Sequence, residues 1–204
     1  FGDVYAGYVA KKMGLPIDKL IIATNSNDIL KRTVNTGIYK PLKVEQTVSP
    51  SMDIQVASNF ERLIFDVCSC NSNRTLKLMN DLNKKGEFII EKEELKKIKN
   101  FFYSESLSDE ETKLIIKKIY KNKKILVDPH TAVAIGVVNK IALEKKTVIL
   151  ATAHPAKFPD TVMQQVDIKP ELPGNLKDIF NKKEKYKKLP NDLKTIQKYI
   201  LDRV

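Results

Sequence analysis

The sequence predicts an α/β fold built on a parallel sheet, and three observations carry that expectation. A helix, a strand and a second helix follow one another between Phe1 and Gly37, the order that a parallel sheet with crossover helices requires. A second strand–helix–strand alternation runs from Lys124 to Thr152. Between them lies a lysine-rich, helix-dominated stretch with one lone strand candidate, so the alternation is interrupted rather than absent.

The stretch "FGDVYAGYVAKKMGLP" reads as the first helix. Asp3 suits an N-cap, Gly14 a stop, and Pro16 forbids continuation. Val4, Tyr8, Val9 and Met13 keep helical spacing. "KLIIAT" (Lys19 to Thr24) has strand length and β-branched content. "NDILKRTVNTG" is the next helix, closed by Gly37. "SPSMDIQVAS" is a polar, irregular connection, and "SNFERLIFDVCSC" opens with Ser58 and Glu61 at capping-box spacing. "EFII" (Glu87 to Ile90) is the lone strand, followed by the helices "EKEELKKIKNFF" and "SDEETKLIIKKIY", the latter with a box at Ser108 and Glu111. "KILV" is then a strand, "DPHTAVAIGVVNKIALEK" a helix with Asp128 as cap and Pro129 at its first position, and "TVILAT" a strand. The tail carries "KPELPG" as a linker and "NDLKTIQKYILDRV" as a short amphipathic helix. The expected organisation is therefore an α/β segment at 1–58, an α-rich lobe or insert at 59–122, a return to the α/β domain at 123–165, and a lysine-rich tail at 166–204.

Composition narrows the classes of function. The 204 residues are 42% hydrophobic, well above the disordered range. The net charge of +11 invites a nucleic-acid reading, but only four of the 36 basic residues are arginine: Arg32, Arg62, Arg74 and Arg203. Phosphate and groove readers lean on the bidentate guanidinium; dispersed lysine solvates a surface, and no nucleic-acid partner is expected. Cys68 and Cys70 stand two apart on an expected helix, point to different faces and read as reduced thiols of a cytoplasmic protein. The longest apolar region, Ile125 to Leu143, is broken by "DPH" and Lys140, so no membrane span is expected. The chain opens on Phe1 rather than methionine, as a processed chain or a piece of a longer one would.

Two places can carry chemistry on physical grounds. Helix N-termini present free backbone N–H groups to anions, which singles out Phe1, Gly2 and Asp3. Ligands of open α/β sheets lie beyond the carboxyl ends of strands, which singles out Thr24, Asn25 and the Thr152–His154 stretch. These features point to a small anionic ligand and no further.

Longer stretches carry a resemblance. "IATNSNDIL", "SPSMDIQVASNFERLIF", "LVDPHTAVA" and "ATAHPAKFP" resemble signature segments of the threonine synthases, in family order. "FGDVYAGYVAKKMGLPI" is similar to the family segment that follows its Thr-Gly-Asn-Phe-Gly-Asp loop. Together they cover residues 1–165. The resemblance implies a pyridoxal-phosphate enzyme of fold type II, the tryptophan-synthase-β type. In it, residues 1–58 and 123–165 belong to the cofactor-binding domain. The implied reaction converts O-phospho-L-homoserine and water to L-threonine and phosphate.

The same resemblance assigns residues. Phe1 and Gly2 end the loop that holds the cofactor phosphate through backbone amides. Thr152 matches the position whose hydroxyl faces the pyridine nitrogen. Asn25 and Asn27 are placed along the cofactor edge, with Asp28 suited to a helix cap. Asn59 and Arg62 are candidates for the substrate phosphate, arginine binding phosphate bidentately. His154 and Lys157 are further candidates at the substrate site: His154 shapes its loop by hydrogen bonds rather than transferring protons, and Lys157 is within reach of an anion or simply solvated. No metal site is implied. The family's Schiff-base lysine, in a Ser-Phe-Lys-Asp type motif, has no match; "NLKD" around Lys177 lacks the serine and the aromatic. No catalytic residue is therefore assigned in this chain, which is expected to act only with an N-terminal segment of the same enzyme. The alternative is a truncated or related protein of the same fold, acting on another amino acid or binding without turnover.

Overall fold

The computed structural model describes residues 1–142 and 145–204. Helix α1 (Gly2–Lys12) leads into β1 (Leu20–Thr24), α2 (Ile29–Thr36) and β2 (Ile38–Tyr39). A 3-10 turn at Pro50–Met52 precedes α3 (Phe60–Val67), α4 (Ser72–Lys85), β3 (Phe88–Ile89), α5 (Lys92–Phe101) and β4 (Phe102–Ser106). Helices α6 (Asp109–Lys123) and α7 (Pro129–Ile141), a 3-10 turn at Pro155–Lys157 and α8 (Pro159–Val166) follow. All of these belong to one unit, Phe1–Pro170. A second unit, Glu171–Val204, carries α9 (Leu193–Leu201), whose cap Asp192 accepts the Thr195 N–H at 2.8 Å.

Strands β1 and β4 pair in parallel, from Leu20 beside Phe102 to Thr24 beside Ser106. Both therefore end at one level, and the chain leaves β4 with the Leu107 N–H on the Thr24 carbonyl at 2.9 Å. β2 and β3 form a separate antiparallel pair. Side chains alternate across β1. Leu20 and Ile22 join a core with Tyr8, Leu30, Phe60 and Phe102. Ile21 and Ala23 pack on the other side, against Leu107, Val133 and Val137. Tyr39 is stacked between Phe60 and Phe88, with ring centroids 5.5 and 4.7 Å away. Gly136 lets α7 approach the end of β4, since a Cβ there would stand 2.3 Å from Leu107 Cδ2.

Several sequence expectations differ from this structure. "TVILAT" is not a strand: among the described residues nothing pairs with 147–152, and Val148 and Leu150 are exposed. "KILV" is not a strand either, because Lys124 closes α6 in the left-handed region at φ 58° and Ile125 turns outward. β4 is hidden in the sequence, where its phenylalanines read as a continuation of α5, and α4 stands outside the sequence expectations. The N-cap of α1 is Phe1, with Asp3 inside the first turn. The Ser58–Glu61 box does not form, because Asn59 is the N-cap of α3 and sits in helical conformation without a side-chain cap. Cys68 ends α3, while Ser69 and Cys70 turn into the left-handed region at φ 58° and 57°. The Ser108–Glu111 box is present. The stretch 59–122 contributes β3 and β4 as well as α3, α4, α5 and α6. The expected run of α7 through Leu143 and Glu144 lies outside the described residues. No helix among the described residues is long and apolar enough to cross a membrane.

Candidate functional site

Beyond the end of β1 the chain turns at Asn25 and Asn27, which are 1% and 2% exposed. Buried amides need partners, and here those partners come from the loop that follows β2. Asn25 Nδ2 lies 2.7 Å from Thr47 Oγ1, 3.0 Å from Ser49 Oγ and 2.8 Å from Asp53 Oδ1. Asn27 Nδ2 donates to the Glu45 carbonyl at 2.8 Å, and its Oδ1 accepts the Glu45 N–H at 2.9 Å. Asp53 takes the Thr47 hydroxyl and N–H at 2.6 and 2.9 Å. Arg32 adds a clamp: Nε on Asp28 at 2.8 Å and Nη2 on Gln55 Oε1 at 3.1 Å. The two asparagines, expected along a cofactor edge, thus have their amides committed within the chain and fix loop 45–55. Thr24 is left with a buried hydroxyl that has no partner among the described residues.

The far side of the same loop meets the N-terminus of α7. Asp128 caps this helix, its Oδ1 accepting the His130 N–H at 2.9 Å and the Thr131 N–H at 3.4 Å. Oδ1 also lies 3.0 Å from His130 Nδ1, and Oδ2 accepts the Thr131 hydroxyl. His130 Nε2 accepts the backbone N–H of Ser51 at 3.0 Å. That bond leaves Nε2 unprotonated and puts the ring proton on Nδ1, toward the carboxylate. Burial pushes the Asp128 carboxyl up, but hydrogen bonds from His130 and Thr131 outweigh it and hold its pKa below the ordinary value. The His130 ring also packs on Phe158, centroids 4.6 Å apart.

Thr152 is tied to this cluster. Its N–H donates to Thr131 Oγ1 at 3.3 Å, while the residue itself is exposed and its hydroxyl makes no hydrogen bond among the described residues. His154 Nδ1 accepts the Ala156 N–H at 3.2 Å and so caps the Pro155–Lys157 turn. Lys157 is exposed, its ammonium 5.6 Å from the Phe158 ring centroid.

The N-terminus of α1 offers donors. No side chain caps it, so its first-turn amides lack a side-chain acceptor. Phe1 packs edge-on against Phe60 at 5.2 Å, and a Cβ on Gly2 would lie 3.1 Å from Asn59 Nδ2. Arg62 lies one turn along α3, in a shallow concavity of about 400 Å³ shared with Tyr5, Ser58, Glu61 and Asp66.

Four of the flagged stretches therefore converge. The ends of "IATNSND", "SPSMD", "DPHTA" and "ATAHP" form one continuous hydrogen-bonded cluster from Asn25 to Thr152. Phe1, Gly2, Asn59 and Arg62 group around the start of α1 instead. The residues that join the pieces, Thr47, Asp53, Ser51, His130 and Thr131, were not singled out from sequence. The signal for the last two was present, since an N-cap aspartate followed by histidine and threonine places both in its reach.

Comparison with known proteins gives the family. Residues 131–200 match the family model described as threonine synthase, C-terminal. The threonine synthase of Pseudomonas aeruginosa is 38% identical over 203 residues, covering 98% of this chain. The crystal structure of pyridoxal-phosphate-bound threonine synthase from Brucella melitensis superposes with a TM-score of 0.85 at 43% identity over 98% of this chain. The yeast threonine synthase structure gives 0.82 at 36% identity over 99% of it. The chain belongs to the threonine synthase family. It spans 43% of the length of both the Pseudomonas and the Brucella proteins.

The Brucella structure holds pyridoxal phosphate, and several residues of this chain have chemistry that fits parts of such a group. The uncapped start of α1 and the Asn59 amide present donors of the kind that hold a phosphate, with the Asp3 carboxylate in the same first turn. The free hydroxyl of Thr152 suits a ring nitrogen. Thr24 keeps an orphaned hydroxyl at the strand end, where α/β sheets hold ligands. No metal-ligating cluster occurs among the described residues.

Proposed function

We propose that this chain supplies the C-terminal part of a threonine synthase that converts O-phospho-L-homoserine and water to L-threonine and phosphate with pyridoxal phosphate. One observation carries the reading: the tie from Thr152 through Thr131 and Asp128 to His130 and Ser51, which gathers separate family segments at one place.

When bound, the cofactor supplies an electron sink for the carbons of the amino acid. The backbone amides at Gly2 and Asp3, with Asn59 Nδ2, bind its phosphate. Thr152 donates its hydroxyl to the ring nitrogen. A hydroxyl cannot hold a proton there as a carboxylate would, so the sink is a mild one. Arg62 binds the substrate phosphate in the concavity beside Asn59. Asn25 and Asn27 act by holding loop 45–55 rather than by touching ligand. His154 shapes the loop after Thr152, and Lys157 adds positive charge near it. The lysine that anchors the cofactor comes from the N-terminal segment of the same polypeptide, which also covers Val148 and Leu150. The compartment is the cytoplasm, in keeping with two free thiols, Cys68 and Cys70.

The test is co-expression of residues 1–204 with the N-terminal segment of the polypeptide, followed by assay with O-phospho-L-homoserine. The expected result is a soluble complex that binds pyridoxal phosphate and releases threonine and phosphate in equal amounts. A cofactor-loaded complex that leaves this substrate untouched and turns over another amino acid overturns the substrate. A folded complex that binds no cofactor overturns the enzyme reading.

A further inference from the structure

We propose that Thr131 and Asp128 are positioning residues for Thr152, a two-link hydrogen-bond chain that fixes the Thr152 backbone and thereby aims its hydroxyl. The proposal rests on the reading that this hydroxyl meets the cofactor ring nitrogen. Among the described residues Thr152 is tied through its N–H, which donates to Thr131 Oγ1 at 3.3 Å. Thr131 is 7% exposed and Asp128 1%, so neither exchanges this bonding freely for water.

The direction of the chain is fixed by chemistry. An ionised carboxylate only accepts, so Asp128 Oδ2 takes the single hydrogen of the Thr131 hydroxyl. The Thr131 oxygen is then left as an acceptor, and the Thr152 N–H is the donor it meets. Asp128 cannot swing away, because its other oxygen holds His130 and Thr131 backbone N–H groups and faces His130 Nδ1. His130 is in turn held by the Ser51 N–H and by Phe158. Capping α7 needs only Oδ1. The bond from Oδ2 to the Thr131 hydroxyl goes beyond a cap, and its continuation is Thr152.

The test uses the full-length enzyme carrying Thr131→Val, Thr131→Ser, Asp128→Asn or Thr152→Val. Four properties are read: hydrogen exchange of the 150–154 peptide in the cofactor-free protein, cofactor Kd, the absorption and circular dichroism of the bound cofactor, and kcat with KM. In Thr131→Val the peptide should exchange faster, and cofactor binding and kcat should each fall about tenfold, the size of one lost hydrogen bond. KM for O-phospho-L-homoserine should stay within about twofold. Thr131→Ser keeps the hydroxyl and should restore all four. Asp128→Asn keeps the cap geometry but loses its charge-assisted bonds and turns an amide donor on Thr131, so it should alter the cofactor spectrum and lower Tm while the protein still folds. A folded Thr131→Val protein with wild-type exchange and cofactor spectrum overturns the proposal. If Thr131→Val does not fold, Asp128→Asn decides in the same way. If Thr152→Val leaves cofactor affinity and kcat unchanged, the ring-nitrogen reading fails on its own, and exchange of the 150–154 peptide in Thr131→Val still decides the positioning.

Discussion

Ser51 donates its backbone N–H to Nε2 of His130 at 3.0 Å, across 79 residues of chain. The bond joins the Pro50–Met52 turn to the N-terminus of α7 and makes a buried histidine ring part of the scaffold. Replacing His130 by alanine removes the acceptor for Ser51, a donor to Asp128 and the face that Phe158 covers. We expect a loss of about 2–3 kcal/mol in stability, within the range for a broken buried network. Urea unfolding of the full-length protein measures it. The exchange rate of the 49–53 peptide should rise at the same time, and an unchanged rate would show that Ser51 is held by something else.

Asn25 provides a sharper test of the other end. Asn25→Asp keeps the shape but puts a carboxylate oxygen where Nδ2 now lies 2.8 Å from Asp53 Oδ1. Two acceptors then face each other in a buried place. The expected destabilisation is about 3 kcal/mol at pH 7, shrinking as the pH is lowered and one carboxyl takes a proton. Thermal melts at pH 7 and pH 5 give the comparison; equal losses at both would remove the electrostatic cause.

Gly136→Ala should be disruptive for steric reasons alone. The added Cβ would stand 2.3 Å from Leu107 Cδ2 and 3.2 Å from Ile115 Cγ1. Overpacking of this kind costs about 1–3 kcal/mol. Leu107→Ala opens the space, so Gly136→Ala should cost much less in that background. A double-mutant cycle without such coupling would mean that α7 shifts freely.

The cluster of Cys68, Glu94 and Arg74 makes stability depend on pH. Arg74 Nε and Nη2 grip Glu94 at 3.0 and 2.9 Å. This pairing, with the Glu91 N–H and the Cys68 thiol, lowers the Glu94 carboxyl to about 2. A carboxyl depressed in the folded state contributes stability above its ordinary value of 4.5 and loses it as the pH falls toward 2. Glu94→Gln should therefore flatten the loss of stability between pH 5 and about pH 3.

The same cluster silences a thiol. Burial, then the hydrogen bond to Glu94, pushes Cys68 up to about 12, whereas Cys70 is exposed. Native protein treated with iodoacetamide at pH 8 should be alkylated at Cys70 and spared at Cys68, as peptide mass spectrometry reads directly. Equal labelling would contradict the buried placement of Cys68.

What was legible in the sequence was local. α1, β1, α2, α6 and α7 announce themselves through spacing, caps and stops, with Gly37 and Asp128 at their expected places. β4 was not legible, because Ser104, Glu105 and Ser106 carry no strand pattern; they are strand residues because β1 lies beside them. α4 was overlooked although Asn71 caps it and Gly86 closes it at φ 76°, since its polar run buries only Thr75 and Leu78. "TVILAT" misled in the opposite direction, having strand composition without a partner among the described residues. At the site, resemblance pointed to Thr152 and Asn25. The bonds of Asn25 into loop 45–55 and of His130 to Ser51 are long-range facts that spacing does not encode.

Loop 45–55 has a history written into the separations of its bonds. Its ties to Asn25 and Asn27 span 22 residues to Thr47 and 18 to Glu45, and they can close while the rest of the chain is still unstructured. Its tie to His130 spans 79. On a logarithmic closure law, with about 0.6 kcal/mol for each doubling of length, the longer loop is only about 1 kcal/mol dearer in entropy. The real delay is that α7 must exist before His130 can accept. The loop is therefore half-fastened early in folding and locked late. Thr152, whose tie among the described residues runs through the first turn of α7, should join the cluster once that helix has formed.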